Sequence, residues 1–272
     1  MGELPRSGGA MPMRGGGPVP ILMYHEVSPS PHPAFRRYTV TVRNFTRQMR
    51  WLAAFGYHAI DMETLLRARQ GQTSLPKRPV VITFDDGFQG CAEHAVPVLR
   101  AHRLTAVFYL VAGVMGATSR WLGPELGMEL PVMSWDTARA LAAGGFSCGA
   151  HSMTHPRLAG LDSARLGTEL GDARRRLEDE LGRPVLHLAY PYGSFDPTVR
   201  AAAADAGYLT ACSTRPGRSG TDDDLLGLHR VTVYGHDSLL DFASRLQSGV
   251  SLRQRLGQVL GGRVAPTELA GS

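Results

Sequence analysis

The sequence predicts a single α/β domain assembled from parallel βα units, and three observations predict it. The chain has 272 residues, enough for one large domain with a substantial core. Seven short runs are nearly continuous in apolar character, as parallel strands are when both faces are covered. Amphipathic stretches separated by short connections alternate with these runs, so a β-then-α order repeats about seven times. A doubly wound sheet and a (β/α) barrel both satisfy that order.

Residues 1–18 carry glycines and prolines but no apolar core, and read as a flexible leader rather than a signal peptide. The strand candidates are 20–24, 79–84, 105–111, 146–150, 186–190, 208–213 and 228–233. Between the first two, residues 44–55 place Phe45, Met49, Leu52 and Phe55 on one helical face. Ser134 caps a helix that runs to Ala143 and stops at Gly144 and Gly145. Residues 162–181 set Leu166, Leu170, Leu177 and Leu181 on a stripe that ends at Gly182. Asp196 to Ala206 forms a further helix, closed by Gly207. The domain is expected over 19–248, followed by a weak C-terminal helix and polar tail over 249–272.

Lys+Arg number 29 against 24 Asp+Glu, a formal charge of +5. Lys77 is the only lysine, and the arginines are scattered. The densest run, Arg174 to Arg176, is interleaved with Glu169, Asp172, Glu178, Asp179 and Glu180, the pattern of a solvated helix face. A nucleic-acid partner is therefore not expected. Cys91, Cys148 and Cys212 are too few for a disulfide framework and read as small buried hydrophobes. The longest uncharged stretch falls well short of the ~20 residues needed to span a bilayer. With no export signal visible, the cytoplasm or an unrecognised export route remains open. Nothing in the chain specifies an oligomeric state.

Three segments that follow predicted strands carry the chemistry. Val80-Val81-Ile82-Thr83-Phe84-Asp85-Asp86-Gly87 ends a strand in two adjacent carboxylates, one able to hold a cation while the other accepts a proton. The bland reading is an Asp-Gly turn. His151-Ser152-Met153-Thr154-His155 offers two imidazoles four residues apart, which suit zinc and its transition-series neighbours. With Asp86 they make a two-His-one-carboxylate set with positions left open, as catalytic sites require. Tyr190-Pro191-Tyr192-Gly193 is a turn whose backbone N–H groups can face an oxyanion and whose ring can line a sugar; the bland reading is an ordinary turn with a buried Tyr. Met23-Tyr24-His25-Glu26, at the first strand's exit, is a fourth feature. In a barrel all of these stand at the C-terminal strand ends, the pole where barrel active sites assemble.

These motifs resemble those of the polysaccharide deacetylase family, also called the NodB-homology fold or carbohydrate esterase family 4. Thr83 to Gly87 looks like its first motif, His151 to His155 its second, and Tyr190 to Gly193 its third, over roughly 19–233. The resemblance implies a distorted (β/α)7 barrel and removal of N-acetyl groups from an N-acetylglucosamine-containing polysaccharide. It implies a divalent metal held by Asp86, His151 and His155, with Zn2+ first and Co2+ or Ni2+ as substitutes. Asp85 would be the general base, and the Tyr192 N–H part of the oxyanion hole. The Met23 to Val27 stretch looks like the poly-N-acetylglucosamine deacetylase branch, where the early histidine is the general acid; here that is His25, with His229 in reserve. Tyr24, Tyr190, Pro191, Tyr192 and Trp135 are the expected substrate contacts. One departure stands out: many members carry a base-orienting arginine two residues before the third-motif proline, and here that residue is Ala189. A small amide, imide or O-acetyl ester as substrate, and a carbohydrate-binding homologue without catalysis, are the rival readings.

Overall fold

The computed structural model of the chain describes residues 17–250 and 252. Seven parallel strands close into a barrel: β1 (Ile21–Tyr24), β5 (Pro79–Phe84), β6 (Val107–Leu110), β7 (Ser147–Ala150), β8 (His187–Ala189), β9 (Thr210–Pro216) and β10 (Leu228–Thr232). The ring closes because β1 pairs with β10 on one edge and β5 on the other. These seven match the seven strand candidates, and the distorted barrel is the fold. Three further short strands were not foreseen: β2 (Glu26–Ser28), β3 (Thr39–Thr41) and β4 (His58–Ile60). Strand β2 pairs with β3 outside the barrel. Strand β4 borders the start of β5, and β6 pairs with β5 from Thr83 onward.

Local chemistry explains the helices. Thr41 caps α1 (Val42–Ala54) by accepting from the Asn44 N–H, and α1 buries Phe45, Met49 and Leu52 as its periodicity predicts. Asp61 caps α2 (Met62–Arg69). Two short helices, α3 (Val96–Ala101) and α4 (Leu122–Leu126), precede α5 (Trp135–Ala143), which Ser134 caps and Gly144 ends. The long helix expected over 162–181 is instead α6 (Ser163–Leu166), a wider π-helical turn at Gly167–Asp172, and α7 (Ala173–Leu181). Gly167 and Gly171 fall in that turn, where the backbone has least reason to hold a regular α-helix. Asp196 caps α8 (Pro197–Asp205), and Ser238 opens α9 (Leu239–Ser248) with a capping box.

The barrel sorts alternate residues to two cores. Ile21, Val81, Val107, Tyr109, Ala189, Cys212 and Leu228 form one buried cluster, joined by Met62 and Leu65 of α2. Leu22, Tyr24, Ile82, Phe84, Phe108, Leu188 and Tyr190 belong to the larger cluster that the helices cover. All three cysteines are buried and unpaired. Among the described residues no helix is long and apolar enough to cross a membrane. The expected leader and C-terminal tail lie almost wholly outside the described residues.

Candidate active site

The barrel brings the first two motifs together at one pole. Strand β5 delivers Asp85 and Asp86 from its C-terminal end, and β7 delivers His151 from its own. Asp86, Ser152, His155 and Tyr192 all have positive φ, between 57° and 71°, although none is glycine. Left-handed backbone at such residues costs about 1–3 kcal/mol each and persists where the surroundings over-determine it, as around a site.

Asp86 is the focus. Its Oδ1 lies 3.1 Å from His155 Nε2 and 3.4 Å from His151 Nε2, and all three side chains are buried. One donor atom from each residue falls within 4.8 Å of the others. His151 Nδ1 stands 2.7 Å from the Ala189 carbonyl. A carbonyl only accepts, so Nδ1 carries the proton and the Nε2 lone pair faces Asp86. Asp86 Oδ1 is buried without a hydrogen-bond partner. Two imidazole nitrogens and an orphaned carboxylate oxygen, converging and buried, fit a divalent transition-metal ion. Burial pushes the Asp86 carboxyl up, but the two imidazoles beside it outweigh that and hold the group below the usual carboxylate range.

Asp85 faces a different partner. Arg230 of β10, fully buried, forms a two-pronged ion pair with it: Nη1 to Oδ1 and Nη2 to Oδ2, both 2.7 Å. The guanidinium also donates from Nε to the Ser213 carbonyl at 2.9 Å and from Nη1 to the Thr83 hydroxyl at 3.2 Å. Burial raises the Asp85 pKa, yet the Arg230 charge, then His151 and the Arg230 hydrogen bonds, bring it below the ordinary value. Sequence reasoning missed Arg230. Its signal was a lone arginine inside an apolar strand, two residues after Leu228, where a barrel interior admits a cation only with a partner. Ala189, two residues before Pro191, contributes a methyl to the interior core and a carbonyl to His151.

His25 follows β1 and is half-buried, its ring 5.0 Å from Tyr38 and its Nδ1 without a partner. Burial lowers its pKa; Asp86 and Asp85 pull upward, and Arg230 and His151 push down. Tyr192 sits in a 3-10 turn, Pro191–Gly193, with its ring 4.7 Å from His155 and the Arg157 guanidinium 4.4 Å from the ring centroid. The turn's own bonds use the N–H groups of Gly193 and Ser194, donated to Tyr190 and Pro191, and not that of Tyr192. A side chain at Gly193 would collide with Thr214, so the turn is closely packed against β9. Trp121, from the segment between β6 and α5, stacks on His155 at 4.5 Å, and its indole N–H is buried without a partner.

Five expected site residues need correction. Tyr24 points outward from the barrel, fully buried between Phe45 and Phe84, and its hydroxyl donates to Gln48. Tyr190 is likewise buried, stacked on Phe195, with its hydroxyl donating to the Leu226 carbonyl. Pro191 is buried in the turn. None of the three is exposed to a substrate. Trp135 opens α5 and meets Arg176 of α7 at 5.7 Å, in the helical layer rather than beside Asp86. His229 neighbours Arg230 in β10 and so faces the opposite side of the strand, paired to Asp223 at 3.0 Å. It does not join the group around Asp85.

The family model for polysaccharide deacetylase matches residues 72–211, a span that holds Asp85, Asp86, His151, His155 and Tyr192. The chain belongs to the polysaccharide deacetylase family. As a polysaccharide deacetylase it is similar to the Bacillus subtilis (strain 168) protein YxkH, which bears the family's name, at 25% identity over 215 residues, 79% of this chain and 71% of that one. It is 30% identical over 84 residues to a poly-beta-1,6-N-acetyl-D-glucosamine N-deacetylase of Staphylococcus epidermidis, a match covering 31% of this chain and 29% of that one. Among solved structures, IcaB from Ammonifex degensii superposes with a TM-score of 0.72 at 26% identity, covering 86% of this deacetylase and 99% of its own chain.

Proposed function

We propose that this polysaccharide deacetylase is a metal-dependent N-deacetylase that releases acetate from an N-acetylglucosamine-containing polysaccharide. The observation that carries the reading is the pairing of two adjacent carboxylates with different partners: Asp86 with two imidazoles, Asp85 with one buried guanidinium. The similarity to the Staphylococcus epidermidis enzyme supports the choice of N-acetylglucosamine polymer.

Asp86, His151 and His155 would hold the ion, zinc first on the strength of a two-nitrogen, one-oxygen donor set. When bound, such an ion supplies Lewis-acid polarisation of the acetamide carbonyl and makes a nearby water more acidic. The remaining work falls to the chain's own side chains. Asp85, kept ionised and fixed in orientation by Arg230, takes the proton from the attacking water as general base. The Tyr192 N–H, free of the turn's own bonds, is positioned to donate to the oxygen that gains charge. His25 protonates the departing sugar amine, and Tyr38 and Phe35 limit water around its ring. Trp121 and Tyr192, both against His155, are the aromatic surfaces on which the sugar would rest. Acetate release from β-1,6-linked N-acetylglucosamine oligomers by zinc-loaded protein tests the reading, with metal-stripped protein as the inactive control.

A further inference from the structure

We infer that Glu169 is a positioning residue that sets the metal affinity of the site, by clamping the loop between the two histidine ligands. The inference rests on the proposed metal site. Glu169 lies in the π-helical turn between α6 and α7, and it is fully buried. The apolar stripe of that segment, Leu166, Leu170, Ala173 and Leu177, faces the barrel, and Glu169 falls on the same inward side. A carboxylate there needs donors, and it finds them in one place. Its Oε2 accepts from the backbone N–H groups of Met153 at 3.0 Å and Thr154 at 2.9 Å, and its Oε1 accepts from the Thr154 hydroxyl at 2.6 Å. Arg165, the cation in contact with it, is more than half exposed and its contact is a long 3.5 Å.

The clamped peptides join His151 to His155. The opposite side of the same loop is tied as well: Ala112 and Gly113 donate their N–H groups to the carbonyls of Ser152 and Met153, at 3.1 and 2.8 Å. A Cβ at Gly113 would stand 2.4 Å from the Met153 oxygen, so the approach is as close as the backbone permits. Within the loop, the Ser152 hydroxyl accepts from the His155 N–H at 2.9 Å. Ser152 and His155 both hold positive φ, a conformation a free loop would relax. Glu169 is the side chain that grips this loop from the helical layer, and through it His155 keeps its place opposite His151.

The test is zinc affinity, measured by competition against a chromophoric chelator, with circular dichroism and the melting temperature of the metal-free protein recorded alongside. Glu169→Met removes the acceptors at similar volume and should weaken zinc binding by about 10–100-fold, the usual effect of losing an outer-shell partner. Glu169→Gln keeps an oxygen for the two amides and should stay within about threefold of the parent, because the role is geometric. Thr154→Val, on an exposed residue, should weaken binding severalfold without moving the metal-free melting temperature. Parent affinity in Glu169→Met, or equal losses in the Gln and Met variants, would overturn the inference. Should Glu169→Met fail to fold, parent affinity in Thr154→Val would overturn it equally. The metal site itself is checked separately: the parent should take up one equivalent of zinc and Asp86→Ala none, and a parent that binds none overturns both.

Discussion

Arg230 grips Asp85 from a strand that lies nearly 150 residues away in sequence, with both Nη–Oδ distances at 2.7 Å and both side chains out of solvent. A two-pronged, charge-assisted pair fixes direction as well as charge. The buried pair also makes each partner dependent on the other, since removing one leaves an uncompensated charge inside the barrel at a cost of about 3–5 kcal/mol.

Arg230→Leu should therefore change the pH dependence of activity. The Asp85 carboxyl sits below the usual range because Arg230 and its neighbours outweigh burial. Without the guanidinium, burial dominates and the carboxyl rises. The ionised base is then lost at higher pH, and the acid limb of kcat/KM should move up by about 1–3 units. Profiles of parent and variant between pH 4 and 9 check this; coincident limbs would refute it.

His25→Ala and His229→Ala should separate cleanly. His25 lies within the field of Asp86 and Asp85, whereas His229 pairs with Asp223 on the outer side of β10. Loss of a general acid typically costs about 10²–10⁴-fold, so His25→Ala should lose at least a hundredfold in kcat. His229→Ala should stay within about threefold, as befits a partly exposed pair. Initial rates of acetate release at pH 7 are sufficient, and equal losses would contradict the assignment.

Glu26→Gln should stabilise the protein, more so as pH rises. Burial, then Asp86 and Glu93, push the Glu26 carboxyl from 4.5 up to about 8. The unfolded chain gives up this proton near pH 4.5 while the folded chain keeps it to about 8. Stability contributed by the protonated form is thus complete below pH 4.5 and is lost progressively up to pH 8. A glutamine cannot ionise, so the gain in melting temperature should be near zero at pH 4.5. It should be largest at pH 8 and above, where the stability gain is on the order of 5 kcal/mol. A gain independent of pH would show that Glu26 ionises normally.

Asp86→Ala should abolish metal uptake, because its Oδ1 faces both imidazoles. His151→Ala should do the same, and elemental analysis after dialysis reads both. Retained stoichiometric metal in either variant would move the site elsewhere.

The seven strands, the triad Asp86, His151 and His155, and the neighbouring Asp85 were all legible in the sequence, because motif spacing and strand exits report them directly. Which face each strand residue takes was not. Near-continuous apolar runs erase the alternation that would reveal it. Register supplies it: Tyr24 aligns with Phe84 beside the inward pair Met23 and Thr83, so Tyr24 turns outward to Gln48. Ala189 aligns with Cys212 in the interior, so Tyr190 turns outward too. Leu228 aligns with the same Cys212, which sends His229 out and Arg230 in. Arg230 itself could not be paired to Asp85 without the closed ring that brings β10 round to β1 and β5. Glu169 was hidden for a similar reason, as a charged residue in a stretch that reads as a solvated helix face.

The proposed chemistry turns most directly on Asp85. Zinc-loaded parent and Asp85→Asn should be compared for acetate released from a β-1,6-linked N-acetylglucosamine oligomer, with zinc content measured on the same samples. The parent should release acetate, and Asp85→Asn should lose at least a hundredfold with zinc fully retained. Undiminished release by Asp85→Asn, or no release by a fully loaded parent, would contradict the proposed chemistry.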